Sequence, residues 1–116
     1  MEIKKVVVIG SGTMGSGIAA HLCNANIPVT LLDLKTEISE HARDRIYKSK
    51  PPLLLDKSKI NNIKVGNIKD NFDIVKDADW VVEAVVERID IKHDIYKQIF
   101  KERKKGAIVS SNTSSI

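Results

Sequence analysis

Residues 10–17 read Gly10-Ser11-Gly12-Thr13-Met14-Gly15-Ser16-Gly17. A run this rich in glycine suits neither the interior of a strand nor an ordinary helix, because glycine loses the most backbone freedom on ordering. Its surroundings give it meaning. Before it lies the β-branched run Val6-Val7-Val8-Ile9, and the segment Ile3 to Ile9 reads as a buried strand. After it, Met14, Ile18 and Leu22 recur every four residues with Ala19 and Cys23 beside them, which predicts a helix laying one apolar stripe on a sheet. Asn24-Ala25-Asn26 ends that helix, with Asn26 suited to the left-handed conformation. Pro28 then introduces a second strand, Val29 to Leu32, which terminates at Asp33.

Gly10, Gly12 and Gly15 satisfy G-x-G-x-x-G in this strand–turn–helix–strand setting. Gly10 permits the tight turn, Gly12 lets backbone approach a pyrophosphate, and Gly15 allows close helix packing. The pyrophosphate would meet unpaired amides and the positive end of the helix dipole. Asp33 stands at the end of the second strand, where an acidic residue accepts hydrogen bonds from the adenosine ribose. Its charge opposes a 2′-phosphate, and no arginine follows it directly, so NAD is expected over NADP. FAD uses a similar acidic contact and stays open at this point.

The rest of the chain repeats the alternation. A second helix is predicted from about Thr36 to Lys48 and is broken by Pro51-Pro52. Residues 53–62 carry no clear pattern. Ile63 to Val65 reads as a short third strand, Asn71 to Lys76 as a helical turn, and Trp80 to Val86 as a fourth strand. A last helix aligns Ile91, Ile95 and Ile99 and ends in Lys101, Arg103, Lys104 and Lys105 before Gly106, which suits a left-handed cap. Ala107 to Val109 begins a fifth strand, followed by the polar loop Ser110-Ser111-Asn112-Thr113-Ser114-Ser115. The fold class is therefore α/β: a Rossmann-like parallel sheet of about five strands flanked by helices.

Composition narrows the function classes. The net charge of +4 is spread over lysines interleaved with acids, and aromatics make up 4%. A nucleic-acid-binding stripe would be more concentrated, so no nucleic-acid partner is expected, although the excess charge would favour an anionic ligand. No apolar run reaches the length of about 18 residues that a membrane span needs, and the N-terminus lacks a signal peptide's pattern. The single cysteine, Cys23, excludes an internal disulfide and fits a reducing, cytoplasmic setting. No metal site is expected.

Three segments in order resemble the 3-hydroxyacyl-CoA dehydrogenase family. Val8 to Ala19 resembles its N-terminal NAD-binding motif. Val82-Glu83-Ala84-Val85-Val86-Glu87-Arg88 with Lys92 resembles its fourth-strand signature, and Ser110 to Ser115 its S-N-T-S-S loop. The first motif also occurs in 6-phosphogluconate and 3-hydroxyisobutyrate dehydrogenases; the other two sharpen it. The resemblance implies NAD as cofactor and oxidation of 3-hydroxyacyl-CoA to 3-oxoacyl-CoA in fatty-acid β-oxidation. It implies that Gly10, Ser11, Gly12, Thr13, Met14, Gly15 and Asp33 bind the cofactor and that the backbone of Ala84 and Val85 lines its cleft. Glu87 and Lys92 match positions on the ribose and nicotinamide side. Asn112 and Ser114 match loop residues near the nicotinamide, and Ser114 also a substrate-side serine. Lys48 and Lys50 follow the second helix, where coenzyme A phosphates would approach.

The resemblance also implies a catalytic histidine, oriented by a glutamate, on a strand and turn beyond the S-N-T-S-S loop. None of His21, His41 and His93 matches that position. Residues 1–116 are thus expected to be one dinucleotide-binding domain, incomplete relative to the family's domain and without a second domain, that binds NAD but needs a C-terminal part to act on 3-hydroxyacyl-CoA. A partner chain or self-association is expected at the open sheet edge beside the fifth strand. Two other readings stay open: a fragment of another hydroxyacid dehydrogenase, and a non-catalytic NAD-binding or interaction module.

Overall fold

The computed structural model describes residues 3–50, 53–85 and 89–111, and only the backbone of 89–91. Five strands form one sheet among these residues: β1 (Val6–Ile9), β2 (Val29–Asp33), β3 (Ile63–Asn67), β4 (Trp80–Glu83) and β5 (Ile108–Ser111). All neighbours are parallel, in the order β3-β2-β1-β4-β5. Helices α1 (Thr13–Asn24), α2 (Thr36–Lys48), α3 (Ile68–Asn71) and α4 (Ile89–Glu102) connect them, with 3-10 turns at Lys57–Asn62 and Phe72–Asp77. The chain order reverses at β1, so a crevice opens beyond the carboxyl end of β1, between β2 and β4; this is the topological switch point where α/β sheets bind ligands.

Four consecutive buried residues make β1, which means both faces of the sheet are covered. Val6 and Val8 join Val29, Leu31, Ala19, Ala42 and Ile46 under α1 and α2. Val7 and Ile9 point the other way, into Leu32, Val75, Val81, Ile95 and Ile99 under the second 3-10 turn and α4. Each such side chain contributes roughly 1.5–3 kcal/mol by leaving water. The sheet is thereby a rigid base for the loops at its carboxyl end.

Several expectations are met and some are corrected. The second helix spans Thr36–Lys48, Asn26 has φ 63° and Gly106 has φ 88°. Pro51 and Pro52 lie outside the described residues. β1 starts at Val6 rather than Ile3, because the amides of Lys4 and Lys5 donate to the Asp79 carboxylate at 2.8 and 3.0 Å instead of extending the ladder. The fourth strand ends at Glu83, since the Glu83 carboxylate accepts the Val85 amide. Residues 57–62, which carried no pattern, form a 3-10 turn whose first residues are capped by Asp56 accepting from the Ser58 amide at 2.9 Å.

The face of α1 also differs. Met14 is exposed and Ile18 only half-buried, whereas Gly15, Ser16, Ala19, Ala20, Leu22 and Cys23 are buried. Close approach to the sheet favours small side chains, so the larger Met14 and Ile18 lie on the flank. There they line a groove with Thr13, Gly17, His21, Leu22 and Trp80.

Candidate functional site

The site is built where β1 turns into α1. Gly10 has φ 105°, a conformation L side chains rarely adopt. Its amide donates to the Leu32 carbonyl of β2 at 2.8 Å, while the Ala84 amide donates to the Ile9 carbonyl at 2.8 Å. A Cβ on Gly10 would stand 2.7 Å from the Ala84 carbonyl carbon and 2.8 Å from the Val85 nitrogen. Gly10 thus serves the turn and also lets the backbone of Ala84 and Val85 close against the loop, which brings those three predicted residues together.

Gly12 is the N-cap of α1, with φ −69° and ψ −165°, and makes no side-chain cap hydrogen bond. The first turn holds no acidic residue. Among the described residues, and its chain neighbours apart, a Cβ on Gly12 would meet nothing within 4 Å. Its backbone therefore faces open space at the positive end of a 12-residue helix, a fitting cradle for a pyrophosphate. Thr13 and Met14 follow in that first turn, both exposed. Gly15 does what was expected of it, and more tightly: a Cβ there would stand 1.8 Å from the Gly10 carbonyl oxygen and 3.5 Å from Val8 Cγ1.

Ser11, 1% exposed, ties the loop to its surroundings. Its amide donates to Asp33 Oδ2 at 2.8 Å and its hydroxyl donates to the same oxygen. Asp33 Oδ1 accepts the Leu34 amide at 2.7 Å. The Ser11 carbonyl accepts from the Ser16 hydroxyl at 2.9 Å and from Arg45 Nη2 at 3.0 Å. The carboxylate is thus held beside the glycine loop, with charge-assisted bonds that fix its position.

Glu83 is a further member that the motif reading passed over. It is fully buried at the carboxyl end of β4. Oε2 accepts the Val85 amide and Oε1 accepts the Ser111 hydroxyl at 2.9 Å. A charged residue inside the valine run 81–86 was the signal for it, since a buried charge needs partners. Ser16 and Arg45 had no such signal, because their contacts depend on how α1 and α2 fold back onto the loop.

Lys92 is half-buried near the start of α4. Glu87, Asn112 and Ser114 lie outside the described residues. Lys48 and Lys50 are exposed and line an open groove with His41, Asp44, Arg45 and Ser49. His21, His41 and His93 are exposed on α1, α2 and α4. Among the described residues no group of three His, Cys, Asp or Glu side chains could hold a metal ion.

Comparison with known proteins agrees with this geometry. Residues 5–116 match the family model described as "3-hydroxyacyl-CoA dehydrogenase, NAD binding domain". A Deinococcus radiodurans protein named "Probable 3-hydroxyacyl-CoA dehydrogenase" is 43% identical over 123 residues, covering 100% of this chain and 36% of its own length. The "Fatty acid oxidation complex subunit alpha" of Shewanella putrefaciens is 36% identical over 126 residues, covering 99% of this chain and 17% of its own. The chain thus spans about a third or less of these relatives. The crystal structure of (S)-3-hydroxybutyryl-CoA dehydrogenase PaaH1 from Ralstonia eutropha superposes with a TM-score of 0.80 at 32% identity, covering 99% of this chain and 42% of that one. With the glycine loop, the crevice and the acidic β2 terminus already in place, the match over residues 5–116 makes the chain a member of the 3-hydroxyacyl-CoA dehydrogenase family, corresponding to its NAD-binding domain.

Proposed function

We propose that this chain holds NAD across the carboxyl end of β1. The backbone from Gly10 to Gly15 receives the pyrophosphate, Asp33 Oδ1 accepts a ribose hydroxyl, and the backbone of Ala84 and Val85 lines the crevice. The observation that carries this is the open space at Gly12 beside a carboxylate locked onto Ser11. By resemblance, Glu87, Lys92, Asn112 and Ser114 serve the nicotinamide side, with Ser114 also touching the substrate.

For the whole protein we infer oxidation of 3-hydroxyacyl-CoA to 3-oxoacyl-CoA in fatty-acid β-oxidation. Bound NAD would supply the hydride acceptor. This chain's residues would orient the cofactor, and a general base would have to face the nicotinamide. The three histidines, exposed on α1, α2 and α4, match no such position. Residues 1–116 are therefore expected to bind NAD without turning over substrate, with the general base supplied from outside them by further chain or by a partner, for which β5 is an edge strand among the described residues. Following NADH formation with 3-hydroxybutyryl-CoA tests this: tight NAD binding with no turnover is expected, and steady turnover by the 116-residue chain would refute it.

A cytoplasmic location is proposed on the strength of Cys23 alone. Its thiol is buried and donates to the Lys59 carbonyl, and burial raises its pKa, as suits a packed rather than a reactive group. Fractionation of cells expressing the full protein checks the location, and recovery in an organelle would overturn it.

A further inference from the structure

Asp33, with no arginine directly after it in the chain, favours NAD over NADP. The fold brings an arginine to the same place from α2. Arg45 lies 34 positions beyond Ser11 in the chain, yet its Nη2 donates to the Ser11 carbonyl at 3.0 Å. Asp33 grips the amide and hydroxyl of that same residue. Carboxylate and guanidinium therefore hold two sides of one residue, at the end of the loop where the adenosine ribose would lie.

We propose that Arg45 is a specificity-determining residue: the cation that would receive a 2′-phosphate, kept from doing so by Asp33. This rests on the NAD reading above. A guanidinium offers five donors in a planar fork suited to phosphate, and the bond to Ser11 uses one nitrogen. Arg45 as a residue is exposed on α2. The Ser11 carbonyl also accepts from the Ser16 hydroxyl at 2.9 Å, so the loop keeps a partner if Arg45 turns to a ligand. With Asp33 present, its charge and its claim on the ribose favour NAD. With Asp33 replaced by a small neutral residue, Arg45 alone faces the ribose end and favours NADP. Lys35, at the N-cap of α2, is the other cation close in sequence to Asp33 and serves as the control.

The test is calorimetric titration of the 116-residue chain with NAD and NADP, in wild type, Arg45→Met, Asp33→Ser and the double variants Asp33→Ser/Arg45→Met and Asp33→Ser/Lys35→Met. Asp33→Ser should move the NADP-to-NAD affinity ratio toward NADP by about tenfold or more. Adding Arg45→Met should abolish that gain, and adding Lys35→Met should leave most of it. A gain that survives Arg45→Met, or disappears with Lys35→Met instead, overturns the proposal. Should Asp33→Ser fail to fold, Asp33→Asn, whose amide oxygen still accepts from Ser11, takes its place with and without Arg45→Met. Its gain in the NADP-to-NAD ratio should fall at least roughly two- to fivefold when Arg45→Met is added, as for an exposed charge, and a gain unchanged by Arg45→Met refutes the role. A wild type that binds neither dinucleotide removes the NAD reading and the proposal together. A wild type that binds NAD, with an Asp33 variant whose ratio is indifferent to Arg45, removes only the proposal.

Discussion

Gly15 of α1 lies against the carbonyl oxygen of Gly10, so closely that a Cβ on Gly15 would come within 1.8 Å of it. This contact sets the distance between the helix and the loop, and with it the position of the α1 amides at the crevice. Gly15→Ala must push the backbone apart, with an expected loss of about 2–3 kcal/mol in urea unfolding. Gly17→Ala two residues on meets nothing within 4 Å among the described residues outside its own helix, and should stabilise the helix by up to about 1 kcal/mol. Equal effects at the two positions would contradict the packing described.

Gly12 separates fold from binding. A methyl group there meets no atom of the described residues within 4 Å beyond its chain neighbours, and the φ and ψ of Gly12 suit any residue. Gly12→Ala should therefore cost under about 1 kcal/mol in stability. The added carbon occupies the space an approaching pyrophosphate needs, so NAD affinity should fall about tenfold or more. Unaltered NAD affinity would place the cofactor elsewhere.

Glu83 joins β4 to β5 through Ser111 and shapes the turn through the Val85 amide. Glu83→Gln keeps one oxygen for that amide and turns its NH2 toward the Ser111 hydroxyl, which accepts it, so a loss of about 1 kcal/mol is expected. Glu83→Ala removes both acceptors from a fully buried site and leaves a cavity, with an expected loss of about 2–4 kcal/mol in urea unfolding. A Gln variant as damaged as the Ala variant would show that the charge, rather than the hydrogen bonds, matters there.

Asp79 gathers the start of β1 and the segment after α4: it accepts the Lys4 and Lys5 amides and pairs with Lys104. Lys104 first, and then the Lys4 amide, lower its pKa from 3.8 to about 2. Because the folded value is the lower one, the stabilisation is fully present above 3.8 and is lost as pH falls through about 2. Acid unfolding followed by circular dichroism should show wild type losing stability faster than Asp79→Asn across that window. Parallel acid limbs would contradict the assignment.

How much of this was legible in the sequence follows the range of the forces involved. The limits of α2, the left-handed Asn26 and Gly106, the tight turn at Gly10 and the close packing at Gly15 are local, set by backbone sterics and spacing, and the sequence shows them. The buried face of α1 was misread because apolar spacing marks an amphipathic helix, whereas here closeness to the sheet selects Gly15, Ser16 and Ala19 over Met14. β1 was drawn too long because Asp79, more than seventy residues away, takes the amides of Lys4 and Lys5. Arg45 was invisible for the same reason: nothing near it in the chain refers to Ser11. Asp33 was found because its place at the end of β2 is itself a local feature, while the second hold on Ser11 was not.

The loop from Gly10 to Gly15, with Asp33 beside it, is proposed to receive NAD. Titration of the 116-residue chain with NAD and with NADP by isothermal calorimetry measures it directly. One saturable NAD site per chain, with NADP bound clearly more weakly, is the predicted result. Preference for NADP, or heat of binding from neither dinucleotide, would contradict it.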